Sequence, residues 1–350
     1  MSENIIELKI DNKEIEVPEG TTILQAARSA GIRIPTFCYH DRLTPIGSCR
    51  LCIVEVKGYK HPVPACMTPV DNQIEVITSS DTLYEMRRDA LKLILLDHPL
   101  DCTVCDKEGE CSLQDLVHEF NVDPAEIPIR LPDQEIMEYS APFIDKLSDR
   151  CVMCLRCVTA CREITGNQAI DIVGNGLNAQ ISVVKPELCR SCGECIDVCP
   201  TGALTDRLSE IKGRKWSVEK VKTTCTYCGC GCQFDLNVLN GKIVKVSTEQ
   251  GVGPNEGSIC IKGRYGWEFV HSNDRLTTPL VKKDGEFRET SWENALDYVA
   301  ERLGKIREKY GPDAIYGLTS AKTTNEENYT FQKFFRSIIG TNNIDHCARL

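Results

Sequence analysis

The sequence predicts an α+β chain of several small domains, most of them built around cysteines rather than around a large apolar core. Three observations predict it. Two runs, Cys151-x2-Cys154-x2-Cys157-x3-Cys161 and Cys189-x2-Cys192-x2-Cys195-x3-Cys199-Pro200, repeat one spacing within residues 151–200. Period-two alternation and helical apolar spacing come in short, separate blocks. From about residue 271 the texture becomes that of an α/β domain. Cysteine dominates the composition, with 21 in 350 residues. Metal–ligand bonds replace part of a core, so domains shorter than the usual ~150 residues are expected.

The double run has the spacing of two-cluster ferredoxins. A cubane needs four thiolates at the corners of a small tetrahedron. Each Cys-x2-Cys-x2-Cys loop wraps three corners, and the fourth cysteine of each run reaches the other cluster. One [4Fe–4S] cluster is thus assigned to Cys151, Cys154, Cys157 and Cys199, and its neighbour to Cys161, Cys189, Cys192 and Cys195. Structural zinc explains Cys-x2-Cys pairs but not triple runs closed by x3-Cys-Pro. Disulfides need an oxidising compartment, and the start MSENIIELKI has no positive region followed by an apolar run. A net charge of −10 argues against a general nucleic-acid binder. LKLILL at 91–96 is far short of the ~20 residues of a membrane span. The reading is a soluble cytoplasmic protein, attached to a membrane only through a partner.

Residues 1–78 open with Ile6, Leu8 and Ile10 alternating, a turn at Asp11-Asn12, and Ile15 and Val17 alternating on the return. Thr22-x-x-Gln25 is a capping box for a helix over 22–30, stopped by Gly31. Cys38-x10-Cys49-x2-Cys52-x13-Cys66 follows. Hairpin, helix and cysteine-rich loop predict a β-grasp ferredoxin domain holding [2Fe–2S] on Cys38, Cys49, Cys52 and Cys66, although x13 leaves the last loop's geometry open. The spacing departs from the plant type. It resembles the N-terminal domain shared by the large subunit of NADH:quinone oxidoreductase, iron-only hydrogenases and some formate dehydrogenases.

Residues 79–120 begin with an amphipathic helix over 81–97, capped by Asp81, with Leu83, Met86, Ala90, Leu93 and Ile94 as its apolar face. It delivers His98-x3-Cys102-x2-Cys105-x5-Cys111. Three cysteines are one short of a cubane, so His98 is the expected fourth ligand rather than an ordinary helix-end histidine. The same families carry such a histidine-ligated cluster. One imidazole for one thiolate makes a cluster less negative and raises its potential. Residues 121–140, with Pro124, Pro128 and Pro132, form a connecting segment. The two-[4Fe–4S] domain spans 141–207. Lys212, Arg214, Lys215, Lys220 and Lys222 read as a solvated linker in preference to a docking patch.

At 218–272, Cys225-x2-Cys228-x3-Cys232 is followed after 27 residues by Cys260. Between them Phe234, Leu236 and Val238 alternate, Asn240-Gly241 turns the chain, and Val244 and Val246 alternate back. This hairpin returns Cys260 beside the first three, for a fourth [4Fe–4S] cluster or a zinc ribbon. The five assignments use 19 of 21 cysteines, leaving Cys230 and Cys347 as non-ligands.

Residues 225–232 (Cys-Thr-Tyr-Cys-Gly-Cys-Gly-Cys) and Asn255-Glu-Gly-Ser-Ile-Cys260-Ile-Lys262-Gly263 resemble the cluster domain of molybdenum- or tungsten-bis-pyranopterin oxidoreductases. Among these the match is to cytoplasmic formate dehydrogenases. The resemblance implies that Lys262 lies between cluster and pterin, against the ordinary reading of a solvated lysine. Residues 273–350 read as the start of an α/β pterin-binding domain. Ser291 caps a helix carrying Ala295, Leu296, Val299 and Leu303, Ala314–Leu318 is a strand, and a second helix runs from Asn325 to Ile339.

Thr324–Tyr329 and Gly340–Leu350 resemble the approach to the formate dehydrogenase active site. There, the Cys-Ala-Arg-x motif precedes a metal-ligating cysteine or selenocysteine and then a catalytic histidine. The expected metal ligand would therefore follow Leu350, and no catalytic residue is expected within the 350 residues. A UGA selenocysteine codon is the expected reason for the end at Leu350, and the nucleotides that follow test it. The implied reaction of the full-length enzyme is formate ⇌ CO2 + H⁺ + two electrons, at a Mo- or W-bis-pyranopterin guanine dinucleotide. The 350 residues alone are expected to bind iron and sulfide without turning over formate. Electrons would run from the Cys225–Cys260 cluster through the double ferredoxin, the histidine-ligated cluster and [2Fe–2S]. The partner would be a flavin- and NAD(P)-binding subunit, a hydrogenase subunit or ferredoxin. The rivals are a non-catalytic subunit like that of NADH:quinone oxidoreductase and an iron-only hydrogenase relay.

Overall fold

The computed structural model describes residues 4–128, 139–209, 215–321 and 323–347. Pro132, Lys212, Arg214 and the closing Ala348, Arg349 and Leu350 lie outside the described residues. Two compact units are present, Met1–Glu219 and Lys220–Leu350.

The first unit begins with the hairpin that the alternation requires: β1 (Ile5–Ile10) pairs antiparallel with β2 (Lys13–Pro18). Asp11 and Asn12 turn it with φ of 46° and 68°, left-handed values that short polar residues tolerate. Helix α1 (Ile23–Ser29) starts at the capping box, Thr22 accepting from the Gln25 N–H and Gln25 from the Thr22 N–H. Strands β3 (Ile53–Val56), β4 (Val63–Pro64) and β5 (Glu75–Ile77) complete a sheet of order β2-β1-β5-β3-β4. β5 runs parallel to β1 and antiparallel to β3. Ile10, Ile23, Leu24, Val54 and Val76 are wholly buried in one core cluster. Each aliphatic side chain so buried contributes roughly 1.5–3 kcal/mol.

Helix α2 (Asp81–Leu95) differs from its sequence reading twice. Its N-cap is Ser80, whose hydroxyl accepts from the Leu83 N–H at 3.2 Å, so Asp81 is the first helical residue. Its buried stripe is Leu83, Arg87, Leu91 and Leu95, while Met86 and Leu93 are 41% and 68% exposed. Arg87 decides the face. Its guanidinium donates to the Ile53 and Thr78 carbonyls at 2.6 and 2.9 Å, which anchors the helix one position round from the apolar guess. Helix α3 (Ser112–Glu119) follows, and Leu91, Leu95, Leu113, Leu116 and Phe120 join Phe37 and Leu51 in a second core.

The next segment runs β6 (Ile144–Lys146), α4 (Arg156–Glu163), β7 (Ile170–Val173), β8 (Gln180–Val183), α5 (Glu194–Asp197) and β9 (Leu204–Asp206). β6 pairs with β9 and β7 with β8, both antiparallel. The sequence repeat is also a backbone repeat. Met153 and Ser191 have φ of 49° and 48°, and Leu155 and Gly193 have 62° and 82°, at matching places in the two cysteine loops. Left-handed Met and Leu cost about 1–2 kcal/mol each, so something holds these loops in shape.

In the second unit, β10 (Glu219–Thr224), β11 (Gln233–Leu239) and β12 (Lys242–Ser247) form a sheet in that order. Asn240 and Gly241 turn the β11–β12 hairpin with φ of 51° and 76°. Helix α6 (Ile261–Tyr265) starts at Cys260. Hairpin β13 (Leu280–Lys283)–β14 (Glu286–Glu289) precedes α7 (Trp292–Tyr310), which is capped by Ser291. The expected strand is β15 (Gly317–Thr319), starting later than expected because Pro312–Ala314 forms a 3-10 turn. Helix α8 (Asn325–Phe334) continues as a π turn over Phe335–Ile339 to left-handed Gly340, and β16 (Ile344–His346) pairs parallel with β15.

Candidate metal centres

Three of the five predicted ligand quartets each line a cavity of their own. Cys151, Cys154, Cys157 and Cys199 line one, with Lys146 and Thr201. Cys161, Cys189, Cys192 and Cys195 line a second, with Tyr139 and Glu194. His98, Cys102, Cys105 and Cys111 line a third, with Arg150 and Gly202. In the first two the fourth thiol comes from the other run, since Cys199 and Cys161 each cross over. All 21 cysteines are free thiols.

Polar groups point at the sulfurs. The Tyr139 hydroxyl donates to Cys195 Sγ at 3.6 Å, and the Ala169 N–H donates to Cys161 Sγ at 3.3 Å. Backbone N–H groups of Met153 and Arg156 face Cys151 and Cys154. Burial still pushes these thiols up, Cys154 to about 12 and Cys157 well above its ordinary value. A bare thiolate is costly here, and a sulfur bonded to iron is not. His98 is held below its ordinary pKa, first by burial and then by the Arg150 charge. Its Nδ1 is buried and makes no hydrogen bond with any described residue. An orphaned imidazole nitrogen beside three thiols is a donor set that fits a metal cluster.

The [2Fe–2S] candidates sit on the loop between α1 and β3 and just after β4. The Cys38 N–H donates to Cys49 Sγ at 3.4 Å. Cys38 is pulled below its ordinary value, chiefly by the Cys49 thiol's hydrogen bond, and Cys52 likewise by Cys66. The negative charge of Cys38 acts in turn on Cys52 and Cys66.

Two connections within the first unit tie these sites together. The Arg156 guanidinium donates to the carbonyls of Phe37, of Tyr39 at 2.6 Å and of Val198 at 3.4 Å. It therefore links the residues flanking Cys38 to the residue before Cys199, among the thiols of Cys154, Cys38, Cys199 and Cys49. The second connection is Cys199-Pro200-Thr201-Gly202. Pro200 and Thr201 line the first cavity and Gly202 lines the histidine cavity. The Cys111 thiol donates to the Pro200 carbonyl at 3.8 Å. A Cβ on Gly202 would lie 2.5 Å from Cys105 Sγ, so any larger residue there would displace that sulfur or the backbone. The Cys151–Cys199 cavity is thus the neighbour of both other sites, whereas the sequence reading put the histidine site between.

In the second unit the Cys225 N–H donates to the Cys232 carbonyl at 2.7 Å, closing the cysteine loop. Burial raises Cys225 and Cys232, and both feel the charges of Cys228, Cys230 and Cys260. Cys230, read as a non-ligand, stands among the other four. Gly263 lets α6 approach, since its Cβ would lie 3.5 Å from Cys225 Sγ and 2.6 Å from Ile259 Cδ1. Lys262 is exposed, and the neighbouring Arg264 is 1% exposed, the largest fully buried side chain. Cys347 is exposed beside the Ser320 hydroxyl at 3.3 Å.

Sequence reasoning missed Lys146, Arg150, Arg156 and Gly202. The signal for Arg156 and Gly202 was their place inside or just after a cysteine run. Lys146 carried none, because strand pairing brings it to its cavity, and Arg150, although it directly precedes Cys151, lines the histidine cavity instead.

Five family descriptions match in succession. Residues 3–81 match a 2Fe-2S iron-sulfur cluster binding domain, and 87–125 the NADH-ubiquinone oxidoreductase-G iron-sulfur binding region. Residues 141–205 match the ferredoxin-like domain of NADH-quinone oxidoreductase subunit 3. Residues 218–272 match the molybdopterin oxidoreductase Fe4S4 domain and 275–350 molybdopterin oxidoreductase. The chain is 39% identical over 348 residues to the NADPH-Fe(3+) oxidoreductase subunit alpha of Geobacter sulfurreducens. It is 38% identical over 350 residues to an NADH-quinone oxidoreductase subunit of Rhizobium meliloti. To a Staphylococcus aureus protein provisionally named a formate dehydrogenase it is 33% identical over 393 aligned positions. These alignments take in 99–100% of this chain but 39–40% of each relative. The crystal structure of an NAD+-reducing [NiFe]-hydrogenase superposes with a TM-score of 0.55 at 27% identity, covering 60% of this chain and 91% of that one. Among the described residues no helix is long and apolar enough to cross a membrane. The chain thus joins regions that match [2Fe–2S] and [4Fe–4S] cluster-binding domains to residues that match molybdopterin oxidoreductase.

Proposed function

We propose that this chain is the electron-conducting part of a formate dehydrogenase catalytic subunit, with one [2Fe–2S] and four [4Fe–4S] clusters on the five quartets. The observation that carries the cluster assignment is the set of three cavities, each lined by one complete quartet. Bound clusters would each accept and release one electron at a time. The protein fixes their spacing, keeps water from the buried thiols and supplies the charges that rank them.

The geometry favours a relay with the Cys151–Cys199 site at its hub. Arg156 leads from the hub to the [2Fe–2S] loop, and Cys199–Gly202 leads to the histidine site. The Cys161–Cys195 site is the hub's twin. Formate as substrate rests on the residues around Cys225–Gly263 and Thr324–His346 and on the 33% relative. Molybdenum or tungsten on a bis-pyranopterin belongs to the same proposal. So do a cytoplasmic location and a flavin- or NAD(P)-binding, hydrogenase or ferredoxin partner. A second reading, a subunit of an NAD(P)H-linked redox complex with no formate chemistry, is favoured by the 39% and 38% relatives.

Anaerobic reconstitution with iron and sulfide, followed by metal analysis and electron paramagnetic resonance, tests the first part. One [2Fe–2S] and four [4Fe–4S] signals are expected, and stoichiometric zinc at Cys225–Cys260 would remove one of them. Purification of the full-length subunit separates the readings. Mo or W with formate-dependent cluster reduction supports formate dehydrogenase, and reduction by NADPH alone supports the second.

A further inference from the structure

Lys146 ends strand β6, held by its pairing with Leu204 of β9. Its side chain enters the cavity lined by Cys151, Cys154, Cys157 and Cys199. Its Nζ is buried and makes no hydrogen bond to any described residue. The charges that face it are the thiols of Cys151 and Cys157. A buried ammonium without an anion is costly. The twin cavity has no buried cation in its lining. Its lining holds the buried carboxylate of Glu194, 3.7 Å from Arg42, and its one lining cation is the exposed Arg190.

We infer that Lys146 is a potential-setting residue, whose fixed positive charge makes the Cys151–Cys199 cluster easier to reduce than its twin. The inference rests on the cluster assignment proposed above. A four-thiolate cubane carries net negative charge, which grows by one when it takes up an electron. A fixed cation therefore stabilises the reduced form more than the oxidised form. One electron enters from the neighbouring centre; burial lowers the Lys146 pKa and the charges of Cys151 and Cys157 oppose that lowering, so the ammonium is taken as retained and no proton moves. The hub thereby holds the electron in preference to the twin.

The test is a dithionite titration of the reconstituted chain, followed by electron paramagnetic resonance, for wild type, K146Q, K146M and K146R. The signal lost in C154S identifies the hub cubane. At the potential where the wild-type hub is half reduced, its reduced-to-oxidised ratio should fall about tenfold or more in K146Q and K146M. It should stay near the wild-type value in K146R, and the other centres should not move. Neutral variants that shed the hub cubane, while K146R keeps it, would assign Lys146 to holding the cluster rather than to setting its potential and would overturn the inference. An unshifted hub in iron-replete K146Q, an equal shift of every centre, or a loss of the cubane in K146R as well would each overturn it. A wild-type chain with no cubane signal would sink the cluster assignment instead.

Discussion

Replacing Gly202 with alanine tests the histidine site through the tightest clearance found there. The added Cβ would lie 2.5 Å from Cys105 Sγ, and ordinary contact begins near 3.4 Å. Sulfur or backbone must therefore yield by about 1 Å, whereas metal–ligand distances tolerate only about 0.2 Å. Two movements relieve the clash. Cys105 can swing away, which takes its sulfur off the cluster. Or Gly202 can recoil, dragging Thr201 and Pro200, which line the hub cavity and face Cys111. Overpacking of this kind costs about 1–3 kcal/mol, and here the strain falls on a ligand. Iron and labile sulfide per chain are the assay after anaerobic reconstitution. Gly202→Ala should lose about four irons, one cubane's worth. Gly304→Ala, in α7, is the control, because nothing lies within 4 Å of its Cβ. Full iron content with unchanged resonance signals in Gly202→Ala would refute the reasoning.

Arg156→Met strips charge-assisted hydrogen bonds from the Phe37 and Tyr39 carbonyls, a loss of about 3 kcal/mol or more. The visible circular dichroism of the [2Fe–2S] site should then melt at a clearly lower temperature, and an unchanged melt would tell against the clasp. His98→Ala should lose its cubane, whereas His98→Cys should keep four irons but require a stronger reductant, because a thiolate replaces a neutral imidazole. Equal potentials in His98→Cys and wild type would argue that His98 is no ligand. The Glu119 carboxyl is held below the usual range, chiefly by its hydrogen bonds from Arg33 at 2.5 and 2.6 Å. A depressed folded pKa gives stability that is present above the ordinary carboxylate range and lost as pH falls through the depressed value. Glu119→Gln should thus cost about 0.5 kcal/mol at neutral pH, since Arg33 is mostly exposed, and nothing in strong acid. Denaturant melts at the two pH values check this, and a gap that survives in acid counts against it.

The sequence was most legible where local chemistry dictates structure. Asn240-Gly241 specified a hairpin turn, Thr22 with Gln25 specified a helix start, and the cysteine spacing specified which thiols would meet. It was less legible wherever a cation competes with apolar residues for the interior. Arg87 turned α2 away from Met86 and Leu93, because two backbone carbonyls outweigh a methionine's burial. Lys146 and Arg150 reach the cavities through pairing and crossing of distant segments, which no local pattern encodes. The π turn after α8 and the 3-10 turn before β15 shifted boundaries by a few residues for a similar reason. The order of the sites was illegible, because it depends on Cys199–Gly202 running past two cavities.

The crossing of Cys161 and Cys199 bears on how such a protein can be assembled and how it can be cut. Each half of the repeat supplies three thiols to its own cavity and lends one to the other. Severed between β7 and β8, neither half would retain a complete quartet. Neither cavity has its four thiols until both loops are present. The same crossing gives a lone half a route to completeness. Two identical copies, related by a twofold axis, would each lend the missing thiol to the other.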